Sequence, residues 1–100
     1  MIKTGGENVA SREVEEVLYQ YPGIEEVAVI GLPDPKWIEI VAVVAVPKKN
    51  VSLSEKEIIA YCKQQLAGFK CPKQVFIADK LPKNPSGKIL KRELKEQLSR

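Results

Sequence analysis

The sequence has no histidine, and its 100 residues include only two cysteines and six aromatic side chains. The absence of histidine excludes an imidazole general base, a histidine-dependent triad and a histidine metal site within this chain. Cys62 and Cys71 form no CxxC motif, so they do not favour a zinc site or a disulfide framework, although one disulfide stays open. Cys62 falls on the apolar face of a predicted helix, where we expect a buried and unreactive thiol.

Long apolar runs are also absent. The longest, Ile40 to Val46, is far shorter than the roughly 20 residues that a membrane helix requires. The first seven residues show neither an apolar stretch of signal-peptide length nor an Arg-rich targeting pattern. We therefore expect no membrane span and a cytoplasmic location. With 44% hydrophobic and 29% charged residues, the composition favours one small folded domain over disorder.

Charge is distributed unevenly along the chain. Residues 1–50 carry five basic and eight acidic side chains, whereas residues 51–100 carry eleven and five. The basic excess lies between Lys70 and Arg92, a stretch in which Asp79 is the sole acidic residue. Such a stretch attracts polyanions. A solvated lysine-rich surface, a phosphate-bearing small ligand and a nucleic acid all remain open on charge alone.

The pattern of apolar residues predicts alternating helices and strands. Ser11 is the predicted N-cap of a helix with one apolar face, which Pro22-Gly23 ends. Ser54 to Glu57 forms a capping box for a second helix, with Gly68 as its C-cap. The remaining expected elements are strands at Val27–Leu32, Ile40–Val46 and Val75–Ala78, an ordered loop at Leu81–Gly87, and a closing helix containing Ile89, Leu90, Leu94 and Leu98. The strand at Ile40–Val46 is so apolar that we expect both of its faces to be covered. These elements predict a single α+β domain over residues 1–100, with about three helices on a small mixed sheet.

Pro85-Ser86-Gly87-Lys88 invites comparison with a phosphate-binding loop. The Walker A motif requires Ser or Thr after the lysine and an earlier glycine at a fixed spacing. Here Ile89 follows Lys88, and no glycine occupies the required position. A P-loop is therefore excluded.

Four segments, taken in order, carry a family resemblance. They are Ile2–Val9 followed by Glu13-Val14-Glu15, then Val29–Trp37, then Phe69–Lys73, and finally Leu81–Arg92. Together they span nearly the whole chain and resemble motifs of the adenylate-forming enzymes. The chain is similar to the C-terminal domain of an acyl-CoA synthetase of the fatty-acid type.

The resemblance implies a reaction in two steps, with ATP and CoA as substrates. A carboxylate would attack the α-phosphate of ATP to give acyl-adenylate, and the CoA thiol would then displace AMP. The small domain would act as a mobile lid on a large N-terminal domain, which holds the nucleotide and acid pockets and is absent from residues 1–100. Mg²⁺ is expected in the parent enzyme but not as a ligand of this chain. The family's hinge aspartate would precede Met1, so we expect either a truncated enzyme or a detached domain whose partner is elsewhere.

The resemblance also implies roles for individual residues. Lys88 would be the adenylation lysine, with Gly87 in its loop. The residues expected to contact CoA are Gly5, Gly6, Glu7, Trp37, Phe69, Lys70 and Lys73. Two positions depart from the family pattern: Ile38 stands where glycine is common after the tryptophan, and Cys71 stands where some relatives have a basic residue.

Other functions are weighed against this one. The chain alone is expected to have no ligase activity, because it lacks a nucleotide pocket and a general base. Two alternatives remain. One is a stand-alone module that binds a nucleotide or CoA or has a regulatory role, and the other is the C-terminal domain of a carrier-protein-dependent adenylation enzyme. A nucleic-acid partner is disfavoured, because the sequence has few aromatics, no zinc motif and no evident recognition helix.

Overall fold

The computed structural model describes residues 1–99 and confirms the expected α+β architecture, with three helices and a five-stranded mixed sheet. The strands are β1 (Ile2–Thr4), β2 (Glu7–Val9), β3 (Ile24–Asp34), β4 (Ile38–Pro47) and β5 (Gln74–Ile77). The helices are α1 (Ser11–Tyr19), α2 (Glu55–Gln65) and α3 (Lys91–Leu98), with a short 3-10 turn at Gly68–Lys70. None of the helices in residues 1–99 has the length and apolar character needed to cross a membrane.

The sheet is organised around β4. β3 pairs with β4 in antiparallel fashion along its length, from Ile24 opposite Pro47 to Asp34 opposite Ile38. On its other side β4 meets β1 near its start and β5 further along, and β5 runs parallel to it. β1 also forms a hairpin with β2. The mixed sheet is thus antiparallel except for the β4–β5 pair.

Helices cover both faces of the sheet. α1 and α2 pack on one face through Val14, Leu18, Ile58 and Cys62. α3 packs on the other face through Leu94, beside Leu81. Successive β4 residues from Ile40 to Val46 are buried, because each face of this strand meets a helix-covered layer. This confirms the prediction made from its uninterrupted apolar run.

The outer edge of β3 is covered by side chains of α1. The Glu15 carboxylate accepts the Val29 backbone N–H at 2.9 Å, and the Tyr19 hydroxyl lies 3.4 Å from both the N and the O of Val27. Lys91 of α3 pairs with Glu15 at 2.7 Å. Because an open strand edge is a template for pairing with another chain, these bonds protect the longest strand.

Glu39 connects the first hairpin to α3. Its carboxylate accepts the Lys3 backbone N–H at 2.9 Å and the Lys95 ammonium at 3.0 Å. Gly31 leaves room for this group, since a Cβ there would lie 2.8 Å from Glu39 Oε2. The hydrogen bond from the Lys3 N–H is the main cause that lowers the pKa of Glu39. Burial raises this pKa, and Lys95 lowers it further.

Three local predictions need correction, one hairpin was missed and one cap is confirmed. The closing helix begins at Lys91, so Ile89 and Leu90 precede it. Ala10, rather than Ser11, is the N-cap of α1, and no side chain caps it. Gly68 is not the C-cap of α2, because the helix ends at Gln65 and Leu66 donates its N–H to Cys62. The β1–β2 hairpin was not predicted, since three-residue strands show too little alternation. The Ser54 cap is confirmed, as its hydroxyl accepts the Glu57 N–H at 3.4 Å.

The Glu39 contacts should make the stability of the fold depend on pH. Because folding lowers this pKa, the stabilisation is present above the ordinary glutamate pKa and is lost as pH falls through the folded-state value. Glu39→Gln should therefore reduce the free energy of unfolding by about 1 kcal/mol at pH 7, with the difference shrinking toward zero below about pH 3. Urea titrations at both pH values measure this, with Glu25→Gln at an exposed position as the control. An equal difference at both pH values would contradict it.

Candidate functional site

Three chain turns meet at one end of the sheet and enclose an open cavity of about 270 Å³. They are the turn between β1 and β2, the turn between β3 and β4, and the 3-10 turn after α2. The lining residues are Thr4, Gly5, Glu7, Trp37, Gly68, Phe69 and Lys73. The fold therefore brings together five of the seven residues expected at the CoA site, from segments up to about 70 positions apart.

Trp37 lines this cavity and is held in place by hydrogen bonds of its turn. The Asp34 carboxylate accepts the N–H groups of Lys36 and Trp37 at 2.8 and 2.9 Å, which fixes the turn. The Trp37 carbonyl accepts the Gly5 N–H at 2.8 Å. A Cβ at Gly5 would lie only 2.7 Å from Trp37 Cε3, and Gly5 has a φ of +56°. Glycine is required at position 5 for both reasons.

Lysine side chains lie against the aromatic rings. Lys73 Nζ is 4.4 Å and Lys36 Nζ is 5.3 Å from the centroid of Trp37. Lys73 forms no salt bridge with a carboxylate among residues 1–99. Its ammonium is thus held over an aromatic ring by a cation–π contact and remains available to an anion.

The two remaining CoA candidates lie beside the cavity. Gly6 has a φ of +87° and serves the hairpin turn. Lys70 Nζ is 5.7 Å from the Phe69 ring centroid, but it also donates to Glu13 Oε2 at 3.1 Å. Phe69 itself is 43% exposed, so part of its side chain is accessible to a ligand. The Lys70 charge is partly neutralised by Glu13.

Gly87 and Lys88 lie at the opposite end of the domain. Lys83, at the base of their loop, pairs with Glu26 near the start of β3, whereas Trp37 follows the end of that strand at Asp34. From Glu26 to Asp34 the strand advances eight residues at about 3.3 Å each, which is roughly 26 Å. The structure therefore does not bring Lys88 to the cavity.

The Lys88 loop is closed by hydrogen bonds to one residue. Asn84 Oδ1 accepts from Ser86 N at 3.1 Å, Ser86 Oγ at 2.8 Å and Lys88 N at 2.9 Å. The Asn84 backbone N–H donates to Lys88 O at 3.0 Å, and its carbonyl accepts from Gly87 N at 2.9 Å. Sequence reasoning did not single out Asn84, although asparagine before proline is a turn signal. It also missed Thr4 and Gly68 in the cavity wall.

The two departures from the family pattern have different surroundings. Ile38 has a φ of +72° and is 65% exposed. Cys71 is buried, with its Sγ 3.6 Å from the Ala67 carbonyl oxygen, so its side chain belongs to the core. A branched side chain in the left-handed region is strained, whereas Cys71 fits its position without strain.

Both cysteines are free thiols buried in one core cluster. Burial, and then the neighbouring Cys71, raise the pKa of Cys62 to about 11. Burial also raises the pKa of Cys71, although Lys63 and Lys73 oppose this effect. Because the thiolate is the reactive form, the expectation of an unreactive Cys62 is supported.

The basic stretch is partly neutralised in the fold. Lys70, Lys83 and Lys91 pair with Glu13, Glu26 and Glu15, respectively. All three carboxylates come from the acidic half of the sequence. These pairs break the continuous basic surface that a nucleic acid would favour.

No group of three His, Cys, Asp or Glu side chains among residues 1–99 is placed to hold a metal ion.

Comparison with known proteins agrees with these features. The family model of the AMP-binding enzyme C-terminal domain matches residues 13–88, and the chain belongs to this family. It is 52% identical over 99 residues to the long-chain-fatty-acid–CoA ligase FadD13 of Mycobacterium tuberculosis, covering 99% of this chain and 20% of that protein. It is 47% identical over 97 residues to a feruloyl-CoA synthase of Amycolatopsis, covering 97% of this chain and 20% of that protein.

The fold also matches those of solved structures. The crystal structure of ATP-bound MatB from Rhodopseudomonas palustris matches with a TM-score of 0.96 and 37% identity, over 99% of this chain and 20% of that one. The chain thus spans about a fifth of the length of the relatives that it matches.

The backbone strain at Ile38 should be relieved by glycine. Glycine adopts a positive φ without the steric cost of a branched side chain. Ile38→Gly should therefore raise the free energy of unfolding by about 0.5–1 kcal/mol, despite the greater freedom of glycine in the unfolded chain. Urea denaturation measures the change. Ile77→Gly is the matched control, since Ile77 is exposed in β5 without a positive φ, and it should destabilise. Equal destabilisation by both substitutions would show that Ile38 is not strained.

Proposed function

We propose that this chain is the mobile C-terminal domain of a fatty acid–CoA ligase and presents its two ends in turn to one active site. The observation that carries the proposal is the separation of Lys88 from the Trp37 cavity along the length of β3. The stretch of β3 from Glu26, beside the base of the Lys88 loop, to Asp34, beside Trp37, is about 26 Å long, so one orientation of the domain does not bring both groups to the same reacting atoms. A rotation of the whole domain between the two steps resolves this conflict.

In the first step Lys88 assists adenylation. The carboxylate oxygen of the fatty acid attacks the α-phosphorus of ATP, and the bond to the leaving pyrophosphate breaks to give acyl-adenylate. Two anions approach each other, and a lysine ammonium between them offsets their repulsion. A unit charge at about 4 Å contributes about 4 kcal/mol at an effective dielectric constant near 20, or about a thousandfold in rate.

In the second step the Trp37 cavity receives part of CoA. The partly exposed Phe69 ring suits stacking of the adenine ring, and Lys73 supplies a cation for a phosphate. Glycine at position 5 leaves the space beside Trp37 free of a side chain, which suits the thiol-bearing arm. The thiol sulfur then attacks the carbonyl carbon of acyl-adenylate, the bond to AMP breaks, and the thiol proton passes to solvent. This chain has no histidine to accept that proton.

The partners follow from this division. A large N-terminal domain supplies the pockets for ATP and the acid, and any Mg²⁺ is held there. The fatty acid is favoured by the 52% identity to a long-chain-fatty-acid–CoA ligase. A cytoplasmic location suits both ATP and CoA as substrates. CoA is favoured over a carrier protein because the relatives named above are CoA ligases or synthases.

Separate assays of the two steps test the proposal. The chain is fused in place of the corresponding C-terminal segment of the M. tuberculosis ligase. Lys88→Ala should slow pyrophosphate release from ATP and fatty acid by about 100- to 1,000-fold, because it removes a charge needed in that transition state. Thioester formation from supplied acyl-adenylate and CoA should change by less than about threefold.

Lys73→Ala should show the reverse pattern, with thioester formation slowed about tenfold and adenylation retained. Lys80→Ala, which removes an exposed lysine of the same basic stretch, is the control and should leave both steps intact. Equal losses in both steps for Lys88→Ala would refute the division between the two ends. An unimpaired Lys88→Ala enzyme would refute the role of Lys88.

A further inference from the structure

The loop that carries Lys88 has little packing to hold it. Ser86, Gly87 and Lys88 are exposed, and Asn84 is half-buried. The core cluster on this face of the sheet reaches Leu81 before the loop and Ile89 after it. Below the loop, Lys83 and Ile89 form a single bridge, and Leu90 N donates to Pro82 O at 2.8 Å. Hydrogen bonds, rather than apolar contacts, must therefore set the course of residues 84–88.

Each hydrogen bond that closes this loop has Asn84 as a partner. Its side-chain oxygen accepts three donors, two from Ser86 and one from Lys88, and its backbone bonds to Gly87 and Lys88. Lys88 is thus attached to Asn84 through both its N–H and its carbonyl. Gly87 takes a φ of +87°, which directs the chain back so that the Lys88 N–H meets the Asn84 oxygen.

We propose that Asn84 is the positioning residue of Lys88, with its amide oxygen setting where the lysine leaves the backbone. This inference rests on the proposed function of Lys88. A long, flexible lysine side chain speeds adenylation effectively only if its backbone position is fixed. Orientation before the reaction removes an entropic cost. Loss of the Asn84 oxygen should free the loop while the sheet and its core stay intact.

The first test uses the chain alone. Asn84→Ala should speed exchange of the Lys88 amide proton with water by about tenfold or more, as it removes the acceptor of that bond. Asn84→Asp keeps an acceptor oxygen and should restore exchange to within about threefold. Ser86→Ala is the matched control, because it removes one donor and leaves the Lys88 bond. Exchange that is unchanged in Asn84→Ala would overturn the proposal.

The second test uses the fused enzyme. Asn84→Ala should slow adenylation by about tenfold through kcat, with KM for ATP and thioester formation retained. Asn84→Asp should recover most of this loss, and Ser86→Ala should lose less than about threefold. A merely structural role would instead lower both half-reactions and the melting temperature together.

The outcomes separate this inference from the function on which it rests. If Lys88→Ala is impaired but Asn84→Ala behaves like Ser86→Ala, the role of Asn84 is refuted and that of Lys88 stands. If Lys88→Ala is unimpaired, the function of the loop is refuted, and the inference about Asn84 falls with it. If both half-reactions fall equally in Asn84→Ala, Asn84 supports the fold and does not position Lys88.

Discussion

The antiparallel pairing of β3 with β4 holds the Trp37 turn and the base of the Lys88 loop apart. The register runs from Ile24 opposite Pro47 to Asp34 opposite Ile38. One end of this ladder is the turn that carries Trp37, and the other adjoins the Lys83–Glu26 pair at the base of the Lys88 loop. Because strands in a packed sheet do not shorten or bend freely, the distance between these two ends of the ladder is a fixed property of the fold.

Side chains from distant parts of the sequence hold the helices to this ladder. Glu15 and Tyr19 cover the free edge of β3, and Glu39 joins the first hairpin to α3. Lysines of the basic stretch pair with acidic residues from the first half of the chain, so the opposite charges of the two halves partly neutralise each other. Lys73 and Lys88 form no ion pair with a described carboxylate, and they are the two cations to which we assign chemistry.

Much of the fold could be predicted because its signals are local. The uninterrupted apolar run of β4 indicated a strand buried on both faces, and the Ser54 capping box indicated the start of α2. The β1–β2 hairpin was missed since its strands are short and half polar. The resemblance pointed to Gly5, Trp37 and Lys73 together, but the Lys70–Glu13 pair joins residues 57 positions apart, and nothing local reveals it. Asn84 was missed because its role depends on the return of the chain at Gly87.

A CoA titration of the ¹⁵N-labelled chain followed by NMR tests the separation of the two ends most directly. We expect weak binding, in the millimolar range, because half a site supplies only part of the contact energy. Amide signals of residues 5–8 and 69–73 should shift together with one dissociation constant, while those of residues 84–88 stay in place. Shifts of the Lys88 loop at the same CoA concentrations, or no shift in the Trp37 cavity, would contradict it.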